Sequence, residues 1–541
     1  MIQKFKRRTS GTETSLCVAI VISFFCLCAQ TTAKNLSLLD KKTARGTVFV
    51  DINKNLKLDA GEKGLPGVLV SNEREVTQTD VDGKYEISLA EETILFITKP
   101  AGYTVPLDKN NLPQFYYIHH PKGSPKQKFN GIAPTGELPE SINFPLFKVD
   151  DPTEFDMLVF ADTQPKTQEE VDFVRDDVVA ELVGIDAVFG VTLGDIMYDE
   201  FDLWARQNQI IGKLGFPFYN VAGNHDMNYD AVDDQYSLET FKSLFGPAYY
   251  SFDYGEVHFV AFDDVEYQGW DLQSSSPKYQ GKIGEKQLEW LANDLGFVHE
   301  NKLIVFMMHI PFYNSQSASP GVNVVDRDKL FDIFKNRKYL LALAGHLHQV
   351  RHDFLDEKAG WPGEKPLDQI SCAAVCGSWW SGPKDERGIP VAVQTDGTPN
   401  GYHIFSFKGN QWTEKFYAAG KDRDTQMRII SPVGTIAQSD LDSLNVLVNV
   451  YDGSARSKVT YQLNGTAATD MKRLSMEDPF FVELIQNHKQ SFKSFVRPGI
   501  SEHIWSAPMP KRLPAGMHVI IVETVDRFGN RYTTSSIFEV K

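Results

Sequence analysis

Cysteine is scarce in this chain. Its 541 residues include five, and three of them, Cys17, Cys26 and Cys28, fall within the first thirty positions. The other two, Cys372 and Cys376, stand four apart in SCAAVCGSWW. In an extended strand that spacing is about 13 Å, beyond disulfide reach unless a turn closes it. The pair reads as two buried small side chains, and nothing suggests a disulfide scaffold. A basic excess is lacking as well: 71 acidic residues face 55 basic ones, for a net charge of −16. Wrapping nucleic acid or hugging an anionic membrane needs a basic footprint, so neither partner fits.

Long apolar runs are also missing. The stretch Leu16–Ala29 is shorter than the roughly 20 residues that span a bilayer. Lys4, Lys6, Arg7 and Arg8 precede it and small residues follow at Thr31–Ala33, which is the order of a secretory signal peptide over residues 1–33. Cleavage near Ala29 reads equally from the same residues. Neither Cys26 nor Cys28 carries the upstream aliphatic residue of a lipoprotein signal. The expectation is export, to a periplasm or cell surface, with no transmembrane span. Removing four basic residues and one acidic residue with the leader takes the net charge from −16 to −19.

A chain of this length exceeds one hydrophobic core, and three segments separate by pattern. Residues 34–150 read as an all-β sandwich. Thr47–Val50, Val68–Val70, Tyr85–Ile87 and Ile94–Ile97 are β-prone runs, divided by turns at Pro66–Gly67 and Asp80–Gly83. Asp51, Asn53, Asn55, Asp59 and Glu62 hold positions 1, 3, 5, 9 and 12 of a twelve-residue loop, the oxygen-donor positions of a calcium loop. Leu56 occupies the position where glycine makes the turn. The alternatives are a structural calcium site and a polar hairpin tip.

Residues 151–425 change to βα alternation. Met157–Phe160, Val188–Leu193, Phe218–Val221, Val257–Phe262, Leu303–Met308 and Leu341–Leu343 are apolar runs of strand length. Gln168–Val183, with Val171, Val174, Val178 and Leu182 at helical spacing, reads as an amphipathic helix. Strands apolar on both faces belong inside an α/β core. Residues 426–541 return to β character, with strands expected at Val446–Tyr451, Lys458–Leu463, Met517–Thr524 and Ser536–Val540, and read as a small accessory sandwich.

Polar residues gather where the central strands end. Asp162 and Gln164 follow the first run, Asp195 the second after Gly194, Asn224 and His225 the third after Gly223, His309 the fifth, and His346 and His348 the last. Each alone is weak: Asp195 reads as a helix N-cap and His309 as a satisfied buried imidazole. Jointly they put imidazole and hard-oxygen donors at five strand ends, which suits a pair of divalent ions rather than one structural zinc. Two such ions are a tool for phosphoester hydrolysis.

GTVFVDINKNLKLDAGEKGLPGVLVS resembles the β-sandwich modules related to the collagen-adhesin B type. Residues 156–350, with the ordered motifs DTQ, GDIMYD, GNHD, MMH and GHLH, resemble the calcineurin-like metallophosphoesterase superfamily. Nearly the whole mature chain resembles an exported, three-domain, Bacteroidetes-type subgroup of it. The resemblance implies a four-layer α/β/β/α sandwich flanked by the two β-sandwich domains. It implies one ion held by Asp162, Asp195 and His348, and a second held by Asp195, Asn224, His309 and His346. It further implies a hydroxide bridging the ions as nucleophile, His225 as proton donor to the leaving oxygen, Asp226 holding the His225 ring, and Asn224 positioning a phosphoryl oxygen. Where the family commonly completes its first motif with histidine, this chain has Gln164, a weaker neutral ligand. The ions expected are Mn, Zn, Fe or Mg.

Trp379, Trp380, Asn400 and Tyr402 are candidate substrate contacts, with Trp380 expected to be the exposed indole. Few basic residues stand near the motifs, which favours a diester over the more highly charged monoester. The substrate expected is a small-molecule, glycan-, lipid- or nucleotide-linked phosphodiester. The competing readings are a phosphomonoesterase and a non-catalytic glycan- or surface-binding protein on the same scaffold.

Overall fold

Two sheets face each other in the middle of the chain. The first runs Phe218–Val221, Phe189–Leu193, Glu154–Phe160, Gly401–Lys408, Gln411–Ala418, and the second Tyr250–Tyr254, Val257–Ala261, Leu303–Met307, Leu340–Ala344, Leu367–Ser371, Arg351–Leu355. The computed structural model describes residues 42–541, so the expected signal peptide and its cleavage position lie outside the described residues.

Side-chain alternation along one strand explains the layering. In Glu154–Phe160, Met157 and Val159 point into a core shared with Phe259, Val305 and Leu341 of the opposite sheet. Leu158 and Phe160 point the other way, into a core shared with Val174, Val178 and Leu182. That is the period-two geometry of a strand buried on both faces. The outer helical segment begins at Thr167, whose hydroxyl caps the Glu170 N–H at 3.1 Å, and runs from Gln168 to Leu182. Its middle turn, Val174–Val179, is widened to a π-helix. On the far face of the second sheet, Phe334 of the Arg327–Phe334 helix packs on Phe306 with ring centroids 4.4 Å apart. The result is the expected α/β/β/α sandwich.

Both flanks are β-sandwiches. The N-terminal one pairs two four-stranded sheets, and the C-terminal one pairs a four-stranded with a five-stranded sheet. In the centre, Glu154–Phe160, Phe189–Leu193 and Phe218–Val221 are mutually parallel, as are Leu303–Met307 and Leu340–Ala344. Their carboxyl ends therefore open on one edge, where ligands of parallel sheets collect. Cys372 and Cys376 are both buried and free. Among the described residues no helix is long and apolar enough to cross a membrane.

Candidate metal centre

Five strand ends deliver the donors. Asp162, Asp195, His346 and His348 all sit at φ between 48° and 72°, a left-handed conformation that non-glycine residues adopt at a cost of about 1–3 kcal/mol each. Gln164, Asp199, Trp379 and Trp380 do so too, so strained backbone concentrates around one place. Close approach supplies the rest. A Cβ on Gly194 would stand 2.5 Å from His309 Nδ1, and one on Gly223 would stand 2.3 Å from Asp195 Oδ1. Only glycine lets these loops meet.

Hydrogen bonds fix the tautomers. His309 Nδ1 lies 2.9 Å from the Leu193 carbonyl and must donate to it, which leaves Nε2 as a lone pair. His346 Nε2 donates to the Gly321 carbonyl at 2.9 Å, leaving Nδ1 as a lone pair. Those two lone pairs face each other at 3.1 Å. Asn224 Oδ1 stands 3.0 Å from His309 Nε2, and Asp195 Oδ1 stands 3.3 Å from it. With both rings neutral, acceptors meet acceptors across this gap, and only an added proton or a cation satisfies them. His348 repeats the arrangement: Nδ1 donates to the Gly377 carbonyl at 2.7 Å, and Nε2 is left 3.7 Å from Asp162 Oδ1. Such a constellation is satisfied by cations, and the residues fit the divalent ions implied for them.

Electrostatics agree. Burial lifts the Asp162 carboxyl to about 8, against the pull of His309. Burial works against a charge on His309, yet Asp195 and Asp162 beside it raise its pKa to about 10. Burial and the adjacent His309 depress His346 to about 3. Without cations the cluster balances charge only by placing its protons unusually.

Three supports were not anticipated. Asp199, the last residue of the GDIMYD motif, accepts from His225 Nδ1 at 2.7 Å. The expected partner, Asp226, is instead spent on the backbone N–H groups of Gly223, Ile196 and Met197 at 2.9–3.1 Å. It braces the two loops rather than the ring, which corrects its assigned role. Asp264 likewise accepts from the His309 and Ile310 N–H groups at 3.1 and 2.9 Å. An acidic residue four positions after Asp195 was visible in the sequence, but its direction was not.

Gln164 meets Asp195, though with its nitrogen: Nε2 donates to Asp195 Oδ2 at 2.8 Å, while Oε1 lies 3.5 Å from Cys376 Sγ. Turning the amide over is needed to offer its oxygen to an ion. Trp379 stacks on the His348 ring, centroids 3.9 Å apart, and meets Phe495 of the C-terminal segment edge-on at 5.1 Å. Trp380 is the buried indole, reversing the expectation, because its Nε1 donates to the Thr163 carbonyl at 2.8 Å. Asn400 is buried against Asp177, to which Nδ2 donates at 2.9 Å. Tyr402 is buried between Phe160 and Tyr417. These three are buried and bonded within the scaffold. Two cations approach instead, of which only Lys493 lies far from the motifs in sequence. Lys166 and Lys493 lie 4.6 and 5.6 Å from the centre of the Tyr198 ring, which stacks on His225 at 4.4 Å.

The sequence matches the catalytic domain described as calcineurin-like phosphoesterase over residues 156–350, the N-terminal domain of that family over 52–132 and its C-terminal domain over 370–532. The chain belongs to the calcineurin-like phosphoesterases. The C-terminal match begins within Leu367–Ser371, a strand of the second central sheet. Among curated proteins, purple acid phosphatase 22 of Arabidopsis thaliana is 23% identical over 171 residues, 29% of this chain and 36% of that protein. A probable glycerophosphodiester phosphodiesterase, GpdQ, of Arcobacter nitrofigilis is 28% identical over 145 residues, 26% of this chain and 49% of that protein. The match thus spans about a third to a half of these relatives. Among solved structures, a dimetal phosphatase from Danio rerio aligns at a TM-score of 0.33 and 15% identity, covering 50% of this chain and all of that one. The purple acid phosphatase PPD1 of yellow lupin aligns at 0.33 and 12%, covering 65% and 67%.

Proposed function

We propose that this protein is a dinuclear-metal phosphodiesterase. The observation that carries the reading is the set of imidazole, amide and carboxylate acceptors converging at five strand ends, with the facing His309 and His346 ring nitrogens 3.1 Å apart. Asp162, Asp195 and His348 would hold one ion, and Asp195, Asn224, His309 and His346 the other. When bound, two divalent ions supply Lewis-acid neutralisation of phosphoryl oxygens and make water more acidic.

The chain supplies the remainder. Asn224 turns Oδ1 to His309, which frees its amide N–H groups to donate to a phosphoryl oxygen. Burial works against a charged His225, but Asp195 and Asp199 outweigh it and raise its pKa. The ring therefore holds its second proton more firmly than a free imidazole does, with Nδ1–H committed to Asp199 and Nε2–H left to protonate a leaving oxygen. Tyr198 stacked on one face keeps the ring from turning.

The diester assignment rests on how little free positive charge faces the centre: Lys493 is paired with Glu170 at 3.0 Å. A phosphomonoesterase is the second reading, favoured by the proximity of Lys166 and Lys493 to Tyr198. Metal analysis with assays on bis-nitrophenyl and mono-nitrophenyl phosphate under Mn, Zn, Fe and Mg separates these readings. Two ions and turnover of the diester alone support the first, and turnover of the monoester supports the second. No metal under any loading turns the scaffold into a binding protein. The same proposal includes a structural calcium in the Asp51–Glu62 loop, and export through the leader at residues 1–33, checked by the N-terminus of secreted protein.

A further inference from the structure

Beside His225 lies a cavity of about 650 Å³ that the metal centre does not use. Its wall includes Asp199, Tyr229, Met227, Phe129, Val232 and Trp270. Two of these already touch the proton donor: Asp199 holds its Nδ1, and the Tyr229 hydroxyl, 3.4 Å from that atom, donates to the Asn224 carbonyl at 2.7 Å. The cavity thus lies against the Nδ1 side of the His225 ring, one ring width from the Nε2–H that would meet a leaving oxygen.

Its wall is built, not incidental. Trp270 belongs to the Val265–Asp271 strand, whose pairing with Ser276–Gly281 shifts register between Tyr267 and Trp270. A bulge of this kind re-aims the side chain that follows it. Trp270 comes to lie 5.9 Å from the Tyr229 ring and remains 44% exposed, while Val232 on the same rim is 90% exposed. Phe129 closes the opposite side from the N-terminal domain, packed on Phe201 at 4.6 Å. Large apolar side chains left open together mark a ligand surface.

Part of the polar surface of the wall is already engaged. Asp199 is bound to His225 and Tyr229 to Asn224. Asp230 Oδ2 accepts the Lys128 N–H at 2.6 Å, and the Lys128 ammonium stands 3.7 Å from Glu200. A hydrocarbon would find aromatic and aliphatic walls over most of this surface.

We propose that this cavity receives the leaving group, and that the substrate is a phosphoester of an alcohol with an apolar body. The inference rests on the hydrolase reading above, with His225 as proton donor. The test uses the metal-loaded full-length protein with methyl, ethyl, butyl and hexyl phosphates, the corresponding symmetric dialkyl phosphates, and phenyl and glyceryl phosphate. Product alcohol is the readout. Burying one methylene corresponds to about a fourfold gain, so kcat/KM should climb by about that factor per carbon along the better-turned-over series. Glyceryl phosphate should stay near the methyl ester. In Trp270→Ala and Val232→Asp the climb should flatten. Alkylphosphonates, which put carbon in place of the leaving oxygen, should show the same chain-length dependence in Kd by calorimetry and lose it in both variants. A steeper response to phenyl than to hexyl would identify an aryl alcohol, and the reverse an alkyl chain. A flat series in the wild type, or a slope that survives both variants, overturns the inference alone. Absence of turnover for every ester, nitrophenyl phosphates included, overturns the hydrolase reading and this inference with it.

Discussion

The metal centre and the His258 site are both buried unions of histidine and carboxylate, yet their protons are arranged in opposite ways. His258 Nδ1 meets Asp253 Oδ1 and Nε2 meets Asp294 Oδ2, each at 2.8 Å. Two ring N–H groups face two carboxylates, and a proton satisfies the set. At His309 and His346, a backbone carbonyl has consumed one N–H group of each ring, so in the neutral rings a lone pair is what faces Asp195 and Asn224. A third cluster, His352, Glu414 and Asp452, brings its ligand atoms within 4.8 Å of one another. Its His352 Nε2 lies 2.7 Å from Asp452, a donor meeting an acceptor, so it sides with His258. Residue types alone do not distinguish a metal site from an ion pair; the direction of each proton does.

The largest effect should come from removing the shared carboxylate. Asp195→Ala is predicted to lose both ions and to cut phosphoester hydrolysis on the order of 10³-fold or more, read by metal analysis and kcat/KM together. Retention of two ions in that variant would break the contrast. The proton-satisfied site should respond to pH instead. Burial disfavours the His258 charge, but Asp294 and Asp253 raise its pKa to about 9. The folded value exceeds the unfolded one near 6.5, so the stabilisation is complete below about pH 6.5 and is lost as pH rises through 9. A rise of this size corresponds to about 3 kcal/mol. His258→Gln should lower stability by about that amount at pH 6 and flatten the alkaline decline in urea melts, without altering metal content.

Sequence reading reached the layers and the donors but not the orientations. Apolar runs at Met157–Phe160 and Leu303–Met308 located strands because a doubly buried strand leaves an unbroken hydrophobic signature. The donors were legible because each follows such a run at a glycine or a short offset. Other contacts depend on segments distant in sequence. Lys493 is more than 290 residues from Tyr198, and Phe129 reaches its cavity from another domain. Trp380 was misjudged because paired indoles in one loop give no local sign of which will bond the Thr163 carbonyl. Asp226 and Asp199 were exchanged for the same reason: a carboxylate beside a histidine in sequence can turn toward backbone while a remote one takes the ring.

A smaller effect separates those two acids. Asp199→Asn should lower turnover of esters with poor leaving groups about 10- to 100-fold, as loss of a partner that orients a functional imidazole does. Nitrophenyl esters, which need no proton, should be nearly unaffected. The pH profile should sharpen the case, because losing the Asp199 carboxylate lowers the His225 pKa and moves the alkaline limb of activity to lower pH. Equal losses on both ester classes, with an unshifted limb, would reassign Asp199 to the fold.

The smallest effect belongs to the Asp51–Glu62 loop, where the comparison becomes a question of amide direction. As oriented, the Asn53 and Asn55 amide nitrogens donate to Asp59 Oδ2 at 2.8 and 2.7 Å, and Glu62 accepts the Ile52 and Asp59 N–H groups at 2.9 Å each. The loop is satisfied by its own protons, like His258. Turning the two amides over replaces donors with oxygens facing Asp59, and the loop then resembles the metal centre. Calcium selects the second arrangement if it binds with the affinity of extracellular modules, and millimolar calcium then adds about 1 kcal/mol to the stability of the N-terminal sandwich. We predict that gain in calorimetric melts and its loss in Glu62→Gln, with phosphoester turnover unchanged in both. A melt indifferent to calcium would place this loop with the proton-satisfied sites.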